Sequence, residues 1–154
     1  MRRLFATAWT IWLFDFVTKA WALKSLSTEP RKVIGTFLQF TLVHNSGAAF
    51  SFATGLTILF SLLALAVVIA VIYFAARITS AGWQLTIGLL LGGVLGNLTD
   101  RIFREPSFLS GHVIDWIQIP HWPVFNIADS AICVAAAISF ILTMRNVPPI
   151  TQVR

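Results

Sequence analysis

Asp115 and Asp129 are the two side chains whose type and setting most invite chemistry. The chain has six acidic residues, Asp15, Glu29, Asp100, Glu105, Asp115 and Asp129, and its four aspartates fall in or at the ends of apolar segments. An ionised group at bilayer depth costs about 2.5–3.5 kcal/mol on insertion scales, so such residues usually pair or function. Asp115 sits in His112-Val113-Ile114-Asp115-Trp116-Ile117 and Asp129 in Phe125-Asn126-Ile127-Ala128-Asp129-Ser130. Fourteen residues separate them, and Pro120 and Pro123 bend the chain between. A return loop there would bring the carboxyls together. Close like charges cannot both ionise, so the pair would share one proton. The ionised member would take a proton from water and the protonated one would donate to a carbonyl oxygen. That is general acid–base hydrolysis of a peptide bond, without metal or covalent intermediate.

Plainer roles compete for the same residues. Asn126 with Asp129 three positions later resembles a capping box at a helix start. Asp115 would serve equally well as half of a salt bridge with Arg101 or Arg104. His112, Asp115, His121 and Asp129 are types that zinc accepts, but no HExxH or comparable spacing accompanies them. Asp15 and Lys19, four apart, share one helix face and can pair. Gly88, Gly92 and Gly96 recur every fourth residue, the small-xxx-small spacing that lets membrane helices approach closely. Asn97, Asp100 and Arg101 follow: Asn97 is placed to donate to a neighbouring helix or to substrate backbone, and Asp100–Arg101 is a candidate local ion pair. Asn45-Ser46-Gly47-Ala48-Ala49-Phe50-Ser51 joins a turn to very small residues, suited either to close passage of another backbone or to a tightly packed helix start. Cys133, the one cysteine, reads as a small buried hydrophobe and excludes an internal disulfide.

The elements that carry these residues belong in a membrane. Of 154 residues 57% are hydrophobic and 11% charged, with a mean hydropathy of +0.82. A short soluble domain cannot bury that much apolar surface. The net charge of +5 is scattered through tails and loops without a run, which argues for interfacial anchoring and against nucleic acid. Four spans are expected, at about 4–23, 56–76, 83–99 and 125–144, in a single integral membrane domain covering 1–154. Asp15 and Lys19 interrupt the first span, which favours a retained helix over a cleaved signal peptide. Basic residues tie at five on each side, but those in the two tails and the short second connection are denser, so both termini are expected inside. The long connections, about 24–54 and 101–124, then lie outside, and β-branched and aromatic residues from Val33 to Val43 predict one or two strands there. Two other classes fit parts of this pattern: a small ion- or proton-coupled transport component relaying through Asp15, Asp115 and Asp129, and a non-catalytic assembly subunit using the glycine face.

The segments together resemble the lipoprotein signal peptidase family, signal peptidase II. Asp15-Phe16-Val17-Thr18-Lys19 looks like the family's D-x-x-T-K, and Asn45 to Ser51 its N-x-G-A-A-F-S. Gly92-Gly93-Val94-Leu95-Gly96-Asn97-Leu98-Thr99-Asp100-Arg101 matches G-G-x-x-G-N-x-x-D-R. Val113-Ile114-Asp115 and Phe125 to Ser130 match the blocks that carry the family's catalytic aspartates. The resemblance implies an all-α membrane protein of four transmembrane helices with a small extracytoplasmic β-sheet, in the bacterial inner membrane. It implies an aspartyl endopeptidase that needs no cofactor and cuts diacylglyceryl-modified prolipoproteins just before the lipidated cysteine. Asp115 and Asp129 would be the dyad, Asn45, Gly47, Asn97, Arg101 and Asn126 would bind substrate or support the site, and Asp15, Lys19 and Asp100 would be structural. Membrane lipid and globomycin-type inhibitors are the other implied partners. Trp116 departs from the family's usual Phe, and the connection from Ile119 to Pro123 looks short.

Overall fold

The structure, a computed structural model, describes residues 1–47 and 56–150. Four long helices, α1 (Arg2–Ser25), α2 (Thr57–Phe74), α3 (Ala81–Phe103) and α4 (Ile127–Met144), are accompanied by three strands, β1 (Arg31–Ile34), β2 (Leu38–Asn45) and β3 (Val113–Gln118). A 3₁₀ turn at Ala75–Arg77 extends α2. Three helices, Thr57–Arg77, Ala81–Phe103 and Ile127–Met144, are long and apolar enough to cross a membrane. α1 is equally long, at 24 residues or roughly 36 Å. It is less apolar than the other three, and its internal charges face inward: Leu4, Ala8, Asp15, Lys19 and Ala22 form its buried stripe. Phe14, Val17, Ile69 and Phe140 stay exposed on the outer surface, as lipid-facing side chains do.

α3 is the central helix and touches the other three. Its glycines allow this. A Cβ on Gly92 would lie 2.7 Å from the carbonyl oxygen of Ala8 in α1, and one on Gly96 would lie 3.1 Å from Cβ of Ala128 in α4. The small-xxx-small face is thus a packing seam, as its spacing predicted. Leu4 packs near Gly88 and Leu142 near Gly82, so α1 runs parallel to α3 and α4 antiparallel. The start of α1 and Pro149 therefore lie at the end of the bundle that holds the α2–α3 turn, where the amides of Thr79 and Ser80 donate to the carbonyl of Pro149.

The three strands form an antiparallel sheet, ordered β1-β2-β3, at the other end. The strand signal from Val33 to Val43 is realised as β1 and β2, joined through Gly35 at φ +52°. β3 was not expected as a strand. Its first four residues are all buried, so it lacks the alternation that identifies a half-exposed strand. It buries Trp116 edge-on against Trp21 of α1 and Phe40 of β2, with ring centroids 5.3 and 5.0 Å away. α3 runs to Phe103, beyond the expected end near Thr99, and so places Asp100 and Arg101 inside the helix. Cys133 is exposed on α4, contrary to the buried expectation. A lipid-facing site suits a small apolar side chain as well as a core does.

Candidate active site

The return loop between Asp115 and Asp129 forms. Ile117 and Phe125 exchange backbone hydrogen bonds of 2.8 and 3.0 Å, folding the proline-bearing segment back on β3. The two aspartates then line one cavity of about 1340 Å³, together with Asn45, His44, Trp122 and Phe125.

β3 delivers Asp115. Val43 of β2 stands opposite it, and Asn45 opposite Val113, which makes Asn45 its diagonal neighbour on the same sheet face. Asn45 Nδ2 donates to Asp115 Oδ2 at 2.8 Å, and Asn126 Nδ2 donates to Oδ1 at 2.6 Å. α4 delivers Asp129 in its first turn. The anticipated capping box is present: the Asp129 amide donates to Asn126 Oδ1 at 2.9 Å, and the Asn126 amide to Asp129 Oδ2 at 3.2 Å. That leaves Asp129 Oδ1, which accepts from Asn97 Nδ2 at 2.7 Å. Capping and membership of a carboxyl pair coexist because a carboxylate has two oxygens.

The orientation of each asparagine amide is fixed by a group that can only donate. The Gly47 amide donates to Asn45 Oδ1 at 2.9 Å, the Asp129 amide holds Asn126 Oδ1, and Lys19 Nζ donates to Asn97 Oδ1 at 3.0 Å. All three NH₂ groups are thereby turned toward the two aspartates. Burial pushes the Asp115 carboxyl up to about 7, and the charge of Asp129 adds to the rise. The bonds from Asn45 and Asn126 and the charge of Lys19 oppose it.

Two expected ion pairs are replaced. Asp115 forms no salt bridge with Arg101 or Arg104, and Asp100 does not pair with Arg101. Arg104 pairs with Asp100, which also pairs with Lys19 at 2.9 Å. Adjacent residues on a helix diverge, whereas residues four apart share a face, so Arg104 reaches Asp100 and Arg101 points to the dyad side. Arg101 Nη1 is buried and has no hydrogen-bond partner among the described residues. It lies 3.6 Å from where a Cβ on Gly47 would stand. The Asp15–Lys19 pair forms as expected, at 2.7 Å. Ala48 to Ser51 of the small-residue motif lie outside the described residues. His121 lines the main cavity and His112 a second one. Among the described residues no three His, Cys, Asp or Glu side chains converge as a metal site.

Sequence reasoning missed the cross-links made by the structural carboxylates. Asp15 Oδ1 accepts from the Ala128 amide at 2.9 Å, and Asp100 Oδ2 accepts from the Ile114 amide at 3.2 Å. Each therefore grips the residue next to a dyad aspartate. The available signal was their burial: charges inside a bundle seek partners on other elements.

A family model described as signal peptidase (SPase) II matches residues 7–145. The chain belongs to that family. A lipoprotein signal peptidase from Mycobacterium avium is 42% identical over 145 residues, which is 94% of this chain and 80% of the relative. One from Leifsonia xyli is 47% identical over 146 residues, 94% of this chain and 68% of the relative. A bacterial membrane enzyme solved by the in meso method matches with a TM-score of 0.82 at 28% identity, over 100% of this chain and 96% of that one. Signal peptidase II motifs that are scattered along the sequence, from Asp15 and Lys19 to Asn126 and Asp129, meet in the hydrogen-bond network around the cavity.

Proposed function

We propose that this member of the signal peptidase II family is an aspartyl endopeptidase acting through Asp115 and Asp129. Asp115 holds the proton in the resting state and Asp129 is the base. Asp129 takes a proton from the attacking water as the water oxygen bonds to the scissile carbonyl carbon, while Asp115 donates its proton to the carbonyl oxygen. In collapse the C–N bond breaks, the amine leaves with the proton from Asp129, and a hydroxyl of the tetrahedral intermediate returns a proton to Asp115. Asn45, Asn97 and Asn126 orient the carboxyls, and Arg101 and Gly47 border the space a substrate backbone would occupy.

The substrates are prolipoproteins, as the names of the relatives suggest, and the resemblance to the family implies that they carry a diacylglyceryl cysteine and are cut just before it. The acyl chains stay in lipid beside the apolar helix faces. The dyad lies at the bundle end opposite the start of α1 and Pro149. This suits cytoplasmic termini and a site at the outer face of the bacterial inner membrane, within reach of globomycin-type inhibitors. The observation that carries the reading is Asn126, whose side chain and backbone donate to both aspartates across one cavity.

Asp115→Asn and Asp129→Asn, assayed on a purified diacylated prolipoprotein, test it. Each is expected to lower kcat by at least about 10²-fold, the general acid–base contribution, with folding and substrate binding retained. Full activity in either variant rejects the dyad.

A further inference from the structure

Lys19 is the most deeply buried cation among the described residues, 1% exposed, and the reaction proposed above does not use it. Its ammonium donates to Asn97 Oδ1 at 3.0 Å and makes ion-pair contacts with two carboxylate oxygens, Asp15 Oδ2 at 2.7 Å and Asp100 Oδ2 at 2.9 Å. Each acceptor continues toward a dyad aspartate. Asp15 accepts from the amide of Ala128, the residue before Asp129, and Asp100 from the amide of Ile114, the residue before Asp115. Asn97 donates to Asp129 itself and accepts from Asn126, which holds Asp115.

We propose that Lys19 is a positioning residue of the peptidase reaction, its ammonium being the single point that fixes α4, β3 and the Asn97 amide, and hence both aspartates, relative to one another. The proposal rests on the dyad reading. A lysine whose only task was to neutralise α1 on insertion would need Asp15 alone. Here the same ammonium reaches two elements on its own and four through its acceptors. It also sets a polarity. An ammonium can only donate, so Asn97 must turn its oxygen to Lys19 and its NH₂ to Asp129, which keeps that carboxyl an acceptor. The charged groups around the ammonium are Asp15 from α1 and Asp100 from α3, with Arg104 on the latter's second oxygen. Asp129 from α4 lies one hydrogen bond further, while Asp115 from β3 feels the lysine's charge and that of Arg101.

Lys19→Met tests this in the full-length protein in detergent, with kcat, KM and the pH profile measured on a diacylated prolipoprotein. Loss of position lowers kcat by about 10–100-fold with KM within about twofold. Loss of the cation moves the alkaline limb of the profile upward, because Lys19 holds the Asp115 carboxyl down. A purely structural role would scale the rate equally at every pH and leave that limb in place, and such a result overturns the proposal, as does a wild-type kcat. Where Lys19→Met does not fold, Lys19→Met with Asp15→Asn and Asp100→Asn removes the ammonium and both carboxylates in contact with it, leaves the partly exposed Arg104 charged, and keeps the oxygens that accept from Ala128 and Ile114. The same selective loss of kcat is expected there, and a wild-type kcat overturns the proposal. Failure of both to fold assigns Lys19 to stability alone and also overturns it. Asp115→Asn run in parallel separates the two readings: activity there removes the dyad itself, whereas an inactive Asp115→Asn beside a fully active lysine variant removes only the role of Lys19.

Discussion

Asn45→Leu probes the protonation of Asp115, and it also removes the acceptor of the Gly47 amide. Asn45 gives Asp115 one of its two side-chain hydrogen bonds, at 2.8 Å, and leucine is close to it in size while keeping water out. An amide N–H stabilises the carboxylate and not the acid, so its removal favours the protonated form. A hydrogen bond to a charged group is worth about 1.5–3 kcal/mol, and one pH unit corresponds to about 1.4 kcal/mol. The full effect would be one to two pH units, and the lower figure is expected because Asn45 borders the cavity and is only half-buried. With Asp115 as the proposed acid, activity is expected to fall as pH rises through its value of about 7. In Asn45→Leu the alkaline limb of kcat/KM therefore moves upward by about one pH unit, and the variant's deficit relative to the wild type at neutral pH shrinks at higher pH. The assay is kcat/KM on a soluble-headed diacylated substrate across the range, in one detergent and at constant ionic strength. A limb that stays in place, or moves down, refutes both the assignment of the proton to Asp115 and the role given to Asn45.

Gly96→Ala places a Cβ 2.5 Å from Asp15 Oδ2 and 3.1 Å from the Ala128 side chain. It is expected to destabilise by about 1–3 kcal/mol, visible as a lower unfolding temperature in detergent; an unchanged value would show that the seam is looser than described. Trp116→Phe keeps the edge-on contacts to Trp21 and Phe40 while deleting a buried Nε1–H that has no partner among the described residues. Stability is expected to stay the same or rise by up to about 1 kcal/mol, and a drop of 2 kcal/mol or more in thermal or chemical unfolding (about twice that estimate) would mean that the indole N–H is bonded after all.

The parts of this fold legible in the sequence are those decided by solvent. α2 and α4 are uninterrupted apolar runs, and α1 survives as a helix despite Asp15 and Lys19 because an i, i+4 pair can turn inward together. The end of α3 was misjudged because polarity at Asp100 and Arg101 reads as the exit from lipid. In the structure Asp100 is satisfied inside the bundle, by Lys19 and the Ile114 amide, so the helix continues. β3 was hidden because its partner strand lies some seventy residues earlier and both its faces are covered. The dyad residues themselves stood out through their cost in an apolar setting. Their partners did not: whether Asp100 meets Arg101 or Lys19 depends on which helix faces which, and the seam of α3 glycines decides that in three dimensions. Cys133 shows the converse, since apolar patterning in lipid does not separate buried from exposed.

Charge balance ties the proton on Asp115 to the remainder of the buried network. The ionic groups gathered between α1, α3, β3 and α4 are Lys19, Arg101 and Arg104 against Asp15, Asp100, Asp115 and Asp129. Three cations face four carboxyls, so the set is neutral when a single carboxyl keeps its proton. Lys19 and Arg104 are in direct contact with Asp15 and Asp100, and Arg101 is the further cation that interacts with both Asp115 and Asp129, alongside the charge of Lys19 at Asp115. Ionising both would leave a negative charge uncompensated in a site of low dielectric, and protonating both would strand Arg101 instead; each costs several kcal/mol after relaxation. The one-proton state that hydrolysis requires is thus the state the buried charges already favour before substrate arrives. Arg101 Nη1 has no hydrogen-bond partner among the described residues; were Arg101 paired with Asp100, as its neighbour position suggests, Lys19 would be the cation left acting on Asp115.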